Sequence, residues 1–191
     1  MTGLDAFPSL PHVAGRVTLR RLTESDRPAF QAYRGDPEVG RFQGWRPLSD
    51  EDATAFLLAM SAAPLFRPGH WCQLGVSETA RPELIGDLGL HLAEDGRWVE
   101  LGFTLQRSSQ GRGLATAAVQ AAIDLVFTHT EAGLVRCVTD ARNEPCVRLL
   151  ERIGMKRADT TAAIFRGAPC EEHHYVLNRN DEARRRGLSS G

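Results

Sequence analysis

The sequence predicts one mixed α/β domain, a mostly antiparallel sheet of about six to seven strands flanked by helices. Three observations lead there. Apolar and polar residues alternate through 70–77, 83–92 and 97–105, and Glu94-Asp95-Gly96 joins the last two runs, which is how an antiparallel meander reads. Helical spacing lies on either side of the meander, with Ala53, Phe56, Leu57 and Met60 on one stripe before it and an alanine-rich run over 114–129 after it. A glycine-punctuated turn, Gln110-Gly111-Arg112-Gly113-Leu114-Ala115, connects the last meander strand to that second helix.

The elements follow in order. Residues 16–22 alternate Val17 and Leu19 with arginines, as a half-buried strand does. Thr23 with Asp26, or Ser25 alone, caps a helix running toward Tyr33. Residues 35–47 are rich in Gly and Pro but carry Phe42 and Trp45, so they form a loop with large apolar contents. Ser49 with Asp52 opens the helix of the first apolar stripe. Beyond the meander come a helix over 114–129, a strand over 134–140 and a short helix over 144–153 stopped by Gly154. Strand-like segments at 155–157 and 172–178 close the fold. Residues 1–15 read as an arm, 16–178 as the domain and 179–191 as a polar tail in which Arg184 to Arg186 form a solvated, frayed cluster.

Composition narrows the function. At 191 residues and 42% hydrophobic, the chain can bury one good core. A net charge of −1 gives no general field for nucleic acid. No apolar run reaches the roughly 18 residues of a membrane span, and the first residues lack a signal-peptide pattern, so the cytoplasm is expected. Cys72, Cys137, Cys146 and Cys170 include no C-x-x-C pair and read as small buried hydrophobes. His70 and Cys72 can share a strand face, whereas His173 and His174 point oppositely on a strand, so no metal is expected.

The glycine turn looks built to hold a phosphate, because glycines admit close backbone approach and a helix start carries unpaired N–H groups and partial positive charge. It comes within one residue of the dinucleotide fingerprint G-x-G-x-x-G, with Asp140 as an acid after the next strand. Two features argue against that reading. Five residues, Gln106 to Gln110, separate the strand from the first glycine, and the third glycine is replaced by Thr116. The preceding strand is also two-faced, with Val99, Leu101, Phe103 and Leu105 against Glu100, Gly102 and Thr104, unlike a central parallel strand.

Read instead as Q/R-x-x-G-x-G/A, with Gln110 first, Gly113 fourth and Ala115 sixth, the turn resembles the acetyl-CoA motif of the GNAT superfamily of N-acetyltransferases. The element order over about 16–178 resembles it too, and Asn143-Glu144-Pro145-Cys146 with Leu150 to Met155 is similar to that family's region after the central helix. With Pro37-Glu38-Val39 and Trp45-Arg46-Pro47, the chain is similar to the branch containing the ribosomal-protein N-terminal acetyltransferases.

The resemblance implies acetyl-CoA as donor and a primary amine as acceptor, either a protein N-terminal amine or a small amine such as an aminoglycoside or polyamine. Gly111 to Thr116, with Gln110, Arg112, Leu114 and Ala115, would surround the pyrophosphate, and the backbone of Phe103, Thr104 and Leu105 would pair with the pantetheine arm. Arg112 reads equally as a surface charge and Thr116 as a helix residue bonded to its own turn. Glu100 is either the general base, as its place in the family implies, or a solvent-facing strand glutamate. Asn143 is a helix N-cap, a pantetheine ligand, or both. Cys146 stands where the branch carries a serine thought to protonate the leaving thiolate, and Tyr175 is the second candidate acid or a core residue. Phe42, Trp45 and Trp71 form either an apolar wall beside the amine or part of the core. The chain is expected to work as a monomer or homodimer, and a CoA-binding module without chemistry is the reading from a different class.

Overall fold

The computed structural model describes residues 10–185 and 187. Its centre is an eight-stranded sheet in the order β1-β2-β3-β4-β5-β6-β8-β7. The strands are β1 (His12–Ala14), β2 (Val17–Arg21), β3 (Trp71–Glu78), β4 (Arg81–Leu92), β5 (Trp98–Leu105), β6 (Leu134–Asp140), β7 (Lys156–Phe165) and β8 (Ala168–Asn178). The β5–β6 pair is parallel, and every other neighbouring pair is antiparallel. The count exceeds the expected six to seven because β1, only three residues long, is too short to show a period.

Helices cover the two faces unequally. On one face α1 (Arg27–Arg34) and α3 (Asp50–Ala62) bury Phe30, Tyr33, Ala53 and Leu57 against Leu22 and Leu84. Thr23 and Asp26 form a reciprocal capping box ahead of α1. Burial works to raise the Asp26 pKa, but the Arg20 guanidinium, at 2.7 and 2.8 Å, and the Thr23 N–H outweigh it and hold the carboxyl below its ordinary value. Ser49 caps α3 by accepting from the Asp52 N–H at 3.1 Å. On the other face α4 (Leu114–His129) packs Leu114, Ala118, Val119, Ala122, Ile123 and Val126 into the main core, joined by Leu149, Leu150 and Ile153 around α5 (Glu144–Arg152).

Three segments depart from the sequence expectation. The loop over 35–47 contains a helical turn, α2 (Pro37–Gly40), capped by the Asp36 side chain. The final hairpin is far longer than 155–157 and 172–178, because β7 is exposed along most of its length and so lacks alternating apolar residues. The expected frayed tail begins as α6 (Arg179–Arg185). Arg179 donates to the carbonyls of Phe127, Thr130 and Ala132 at the end of α4, and Arg185 reaches Gln120 and Glu182. Arg186, residues 188–191 and the first nine residues of the arm lie outside the described residues.

Beneath α1 a buried ion pair joins Arg34 to Asp87 of β4 at 2.6 Å, and Gln73 donates to the same Asp87 oxygen at 3.0 Å. Burial pushes the Asp87 carboxyl up, while the Arg34 charge pulls it back. Removing one partner strands the other charge in the core. Asp87→Ala is expected to lower unfolding free energy by about 3–5 kcal/mol in urea denaturation, and adding Arg34→Met should recover part of the loss.

Candidate active site

The site begins where the parallel pair ends. β5 and β6 share only the positions Trp98↔Leu134, Val99↔Val135 and Glu100↔Arg136, after which β5 stays with β4 and β6 with β8. The Gln106 N–H bonds to Ile85 of β4, so alternate residues Phe103 and Leu105 aim their main-chain groups into the gap. Two glutamine amides meet them: Gln43 donates to the Phe103 carbonyl at 3.4 Å and Gln110 to the Leu105 carbonyl at 2.9 Å.

A cavity of about 830 Å³ fills this gap. Phe103, Thr104 and Leu105 line it from β5, Gln110, Gly111, Gly113, Ala115 and Thr116 from the glycine turn, Asn143, Cys146 and Leu149 from α5, and Phe42 and Gln43 from the loop after α2. Gly111 and Gly113 have φ of +71° and +78°, and a Cβ built on either would meet nothing within 4 Å. Positive φ explains why glycine stands there, and the open space beside it lets a ligand approach the backbone. Gly113 caps α4 without a side-chain bond, so the first-turn N–H groups are free to receive an anion.

Two residues of the turn serve elsewhere. The Arg112 guanidinium makes paired 2.8 Å bonds to Glu78, holding that carboxyl below its ordinary pKa, and is absent from the cavity lining. Leu114 is 1% exposed and belongs to the core. Of the two readings of Arg112, this ion pair fits the surface charge, and the Leu114 side chain packs inward while its main chain stays in the turn.

At the opposite wall Asn143 caps α5, accepting from the Cys146 N–H at 3.4 Å. The Cys146 thiol reaches the cavity from a half-buried position; burial pushes its pKa up, with the Thr139 hydroxyl opposing. Tyr175, the other candidate acid, is fully buried and donates to Glu151 at 3.0 Å. It lies outside the cavity lining, so its packing and hydrogen bond fit the core reading.

Glu100 stands just outside the cavity lining, on the sheet face opposite α4. Its Oε2 accepts from Arg136 Nε at 3.0 Å and Nη2 at 2.7 Å, and that guanidinium stacks 3.6 Å from the centroid of Trp98. Arg136 was invisible as a partner in the sequence, because the parallel register of β5 and β6 sets the pair. Trp45 also leaves the expected substrate wall: its ring packs on Arg34 at 4.9 Å and beside Gly40, whereas Phe42 does line the cavity. Among the described residues, no cluster of three or more His, Cys, Asp and Glu side chains is placed to hold a metal ion. No helix among them is long and apolar enough to cross a membrane.

Residues 16–156 match the family model described as acetyltransferase (GNAT) domain. The chain belongs to the GNAT acetyltransferase family. It is an acetyl-CoA-dependent acyltransferase. The uncharacterized N-acetyltransferase p20 of Bacillus licheniformis is 28% identical over 144 residues, 74% of this chain and 80% of that protein. Among solved structures, a GNAT-family acetyltransferase from Bacillus anthracis superposes with a TM-score of 0.78 at 20% identity, covering 88% of this chain and 98% of that one. RimL, the ribosomal L7/L12 alpha-N-protein acetyltransferase solved with coenzyme A, gives 0.78 at 16% identity, over 91% and 99%. These likenesses confirm the mixed, largely antiparallel architecture.

The raised thiol pKa has a measurable consequence in this GNAT enzyme. A pKa above the ordinary value shrinks the thiolate fraction near neutrality, so Cys146 should alkylate with iodoacetamide at pH 7.5 at least about tenfold more slowly than free cysteine. Peptide mass spectrometry over a pH series should show the rate climbing beyond pH 9.

Proposed function

We propose that this enzyme moves the acetyl group of acetyl-CoA directly to a primary amine, with a polypeptide N-terminal amine as favoured acceptor and no acyl-enzyme. One observation carries the reading: the glycine turn, the β5 edge that β6 leaves and Cys146 line a single cavity, whose β5 wall begins at Phe103, three residues after Glu100. The acceptor face is an exposed sheet surface with Trp71 on it, which suits the end of a chain. RimL, which shares the fold, is named for acting on an alpha-amino group.

In this mechanism the N–H groups of Gly111 to Thr116 hold the diphosphate, and Asn143 with the β5 edge steadies the pantetheine arm. Gln110 fixes the turn to the Leu105 carbonyl. Glu100 keeps one carboxylate oxygen clear of Arg136 and takes a proton from the ammonium, directly or through water. The freed amine attacks the thioester carbon, forming the C–N bond. As the C–S bond breaks, Cys146 protonates the departing thiolate, and the second amine proton restores the thiol. A thiol held protonated by burial suits that duty.

The test is release of free thiol from acetyl-CoA with N-terminal peptides, polyamines and aminoglycosides as acceptors. Glu100→Gln should reduce kcat/KM about 10²-fold for whichever acceptor responds, and unchanged turnover would remove the base role. Cys146→Ala should lower kcat more than Cys146→Ser, because serine keeps a proton to give. A CoA-dependent rise in melting temperature with no responding acceptor would instead indicate a binding module.

A further inference from the structure

The open half of the acceptor face carries an aromatic row whose outer member, Trp71, has no part in the proposed catalytic steps. Trp71 of β3 is 48% exposed, its ring centroid lies 5.2 Å from that of His91 on β4, and His91 lies 6.2 Å from Trp98 on β5. The indole can rest on β4 because Gly89 is there: a Cβ at that position would come within 3.2 Å of the ring. Gly102 of β5 pairs with Gly89, and a Cβ at Gly102 would meet nothing within 4 Å. Beside the covered glycine there is thus an empty one, next in sequence to Phe103, which lines the cavity.

Charge on this face selects against polycations. Over 87–91 of β4 and 100–104 of β5 the carboxylates are Asp87 and Glu100, and each is already bonded to a guanidinium, Arg34 and Arg136 respectively. A polyamine would find no surplus negative charge there, and Arg136 would repel its second ammonium. What the face offers is a stacking surface one strand away from an empty slot. Neighbouring strands lie about 4.8 Å apart, close to the reach from an amine nitrogen to a ring attached through two carbons.

Building on the transferase reading, we infer that the acceptor amine sits over Gly102 while an aromatic ring attached through two carbons stacks on Trp71. The ligand chemistry is that of an aromatic residue at a polypeptide N-terminus, or equally of a small arylalkylamine. Trp71, rather than Trp45, is then the specificity-determining tryptophan.

The experiment compares phenethylamine, n-butylamine, spermidine, and the peptides Phe-Gly-Gly-Gly and Ala-Gly-Gly-Gly as acceptors, with calorimetric binding of each amine to the CoA-loaded protein alongside. Phenethylamine and the Phe peptide should exceed n-butylamine and the Ala peptide in kcat/KM by about fivefold or more, expressed in KM. W71A should erase that ratio and W71F should keep most of it. G102V should abolish turnover of every amine while CoA affinity and melting temperature hold. Whichever of phenethylamine and the Phe peptide is the better substrate identifies the source of the ring. Equal use of aromatic and aliphatic amines, preference for spermidine, or an intact ratio in W71A overturns the inference. Failure of transfer to every amine overturns the catalytic reading alone, and calorimetry still decides the stacking: phenethylamine binding no tighter than n-butylamine would end it.

Discussion

The separation of β5 from β6 after the Glu100↔Arg136 position is the constraint on which the rest depends. Main-chain groups released from a ladder must find other partners or face a solvated space. β4 holds one edge of β5 and β8 holds one edge of β6, and beyond Glu100 the two remaining edges face each other across the gap. The lining of the cavity then follows from position. The free edge of β5 faces the gap, the glycine turn that leaves β5 starts α4 at one end of it, and α5, which leaves β6, supplies Asn143 and Cys146 at the other wall.

The loop between α1 and α3 is held over this gap from several sides. Arg107, just after β5, pairs with Asp36, and Arg166 at the tip of the β7–β8 hairpin donates to the carbonyls of Gly40 and Gln43. From below, Trp45 rests on Arg34, which the buried Asp87 fixes. A tryptophan in a Gly/Pro-rich loop suggests a substrate wall, but here burial of the indole against a fixed cation anchors the loop. Phe42, three residues earlier, is the part of the loop left to line the cavity.

What the sequence disclosed and what it hid follow the same physics. Local signals carried through: the caps at Thr23 and Ser49, the bounds of α4 and β6, and the glycines of the turn are set by residues within a few positions of one another. Relations set by tertiary pairing did not. Arg112 has two plausible uses in isolation, and only the placement of β3 brings Glu78 to it. Tyr175 has no local marker distinguishing a core hydroxyl from a catalytic one, and Glu151, its partner, stands 24 residues away on α5. The long β7 carries Asp, Thr and Ala on a surface that buries nothing, so no pattern exists to be read.

The pairing of Glu100 with Arg136 bears on how a strand glutamate is oriented on an open face. A lysine there would offer a mobile point charge free to move between both carboxylate oxygens. Arg136 cannot wander in that way, since its planar guanidinium is stacked on Trp98, and from that fixed plane it directs both Nε and Nη2 to Oε2. The other oxygen keeps its lone pairs. Two residues before Glu100, Trp98 is anchored in the three-position parallel ladder, so the ring, the guanidinium and the carboxylate are all referenced to the point where the strands part. The divergence that opens the cavity therefore also sets the orientation of the carboxylate beside it.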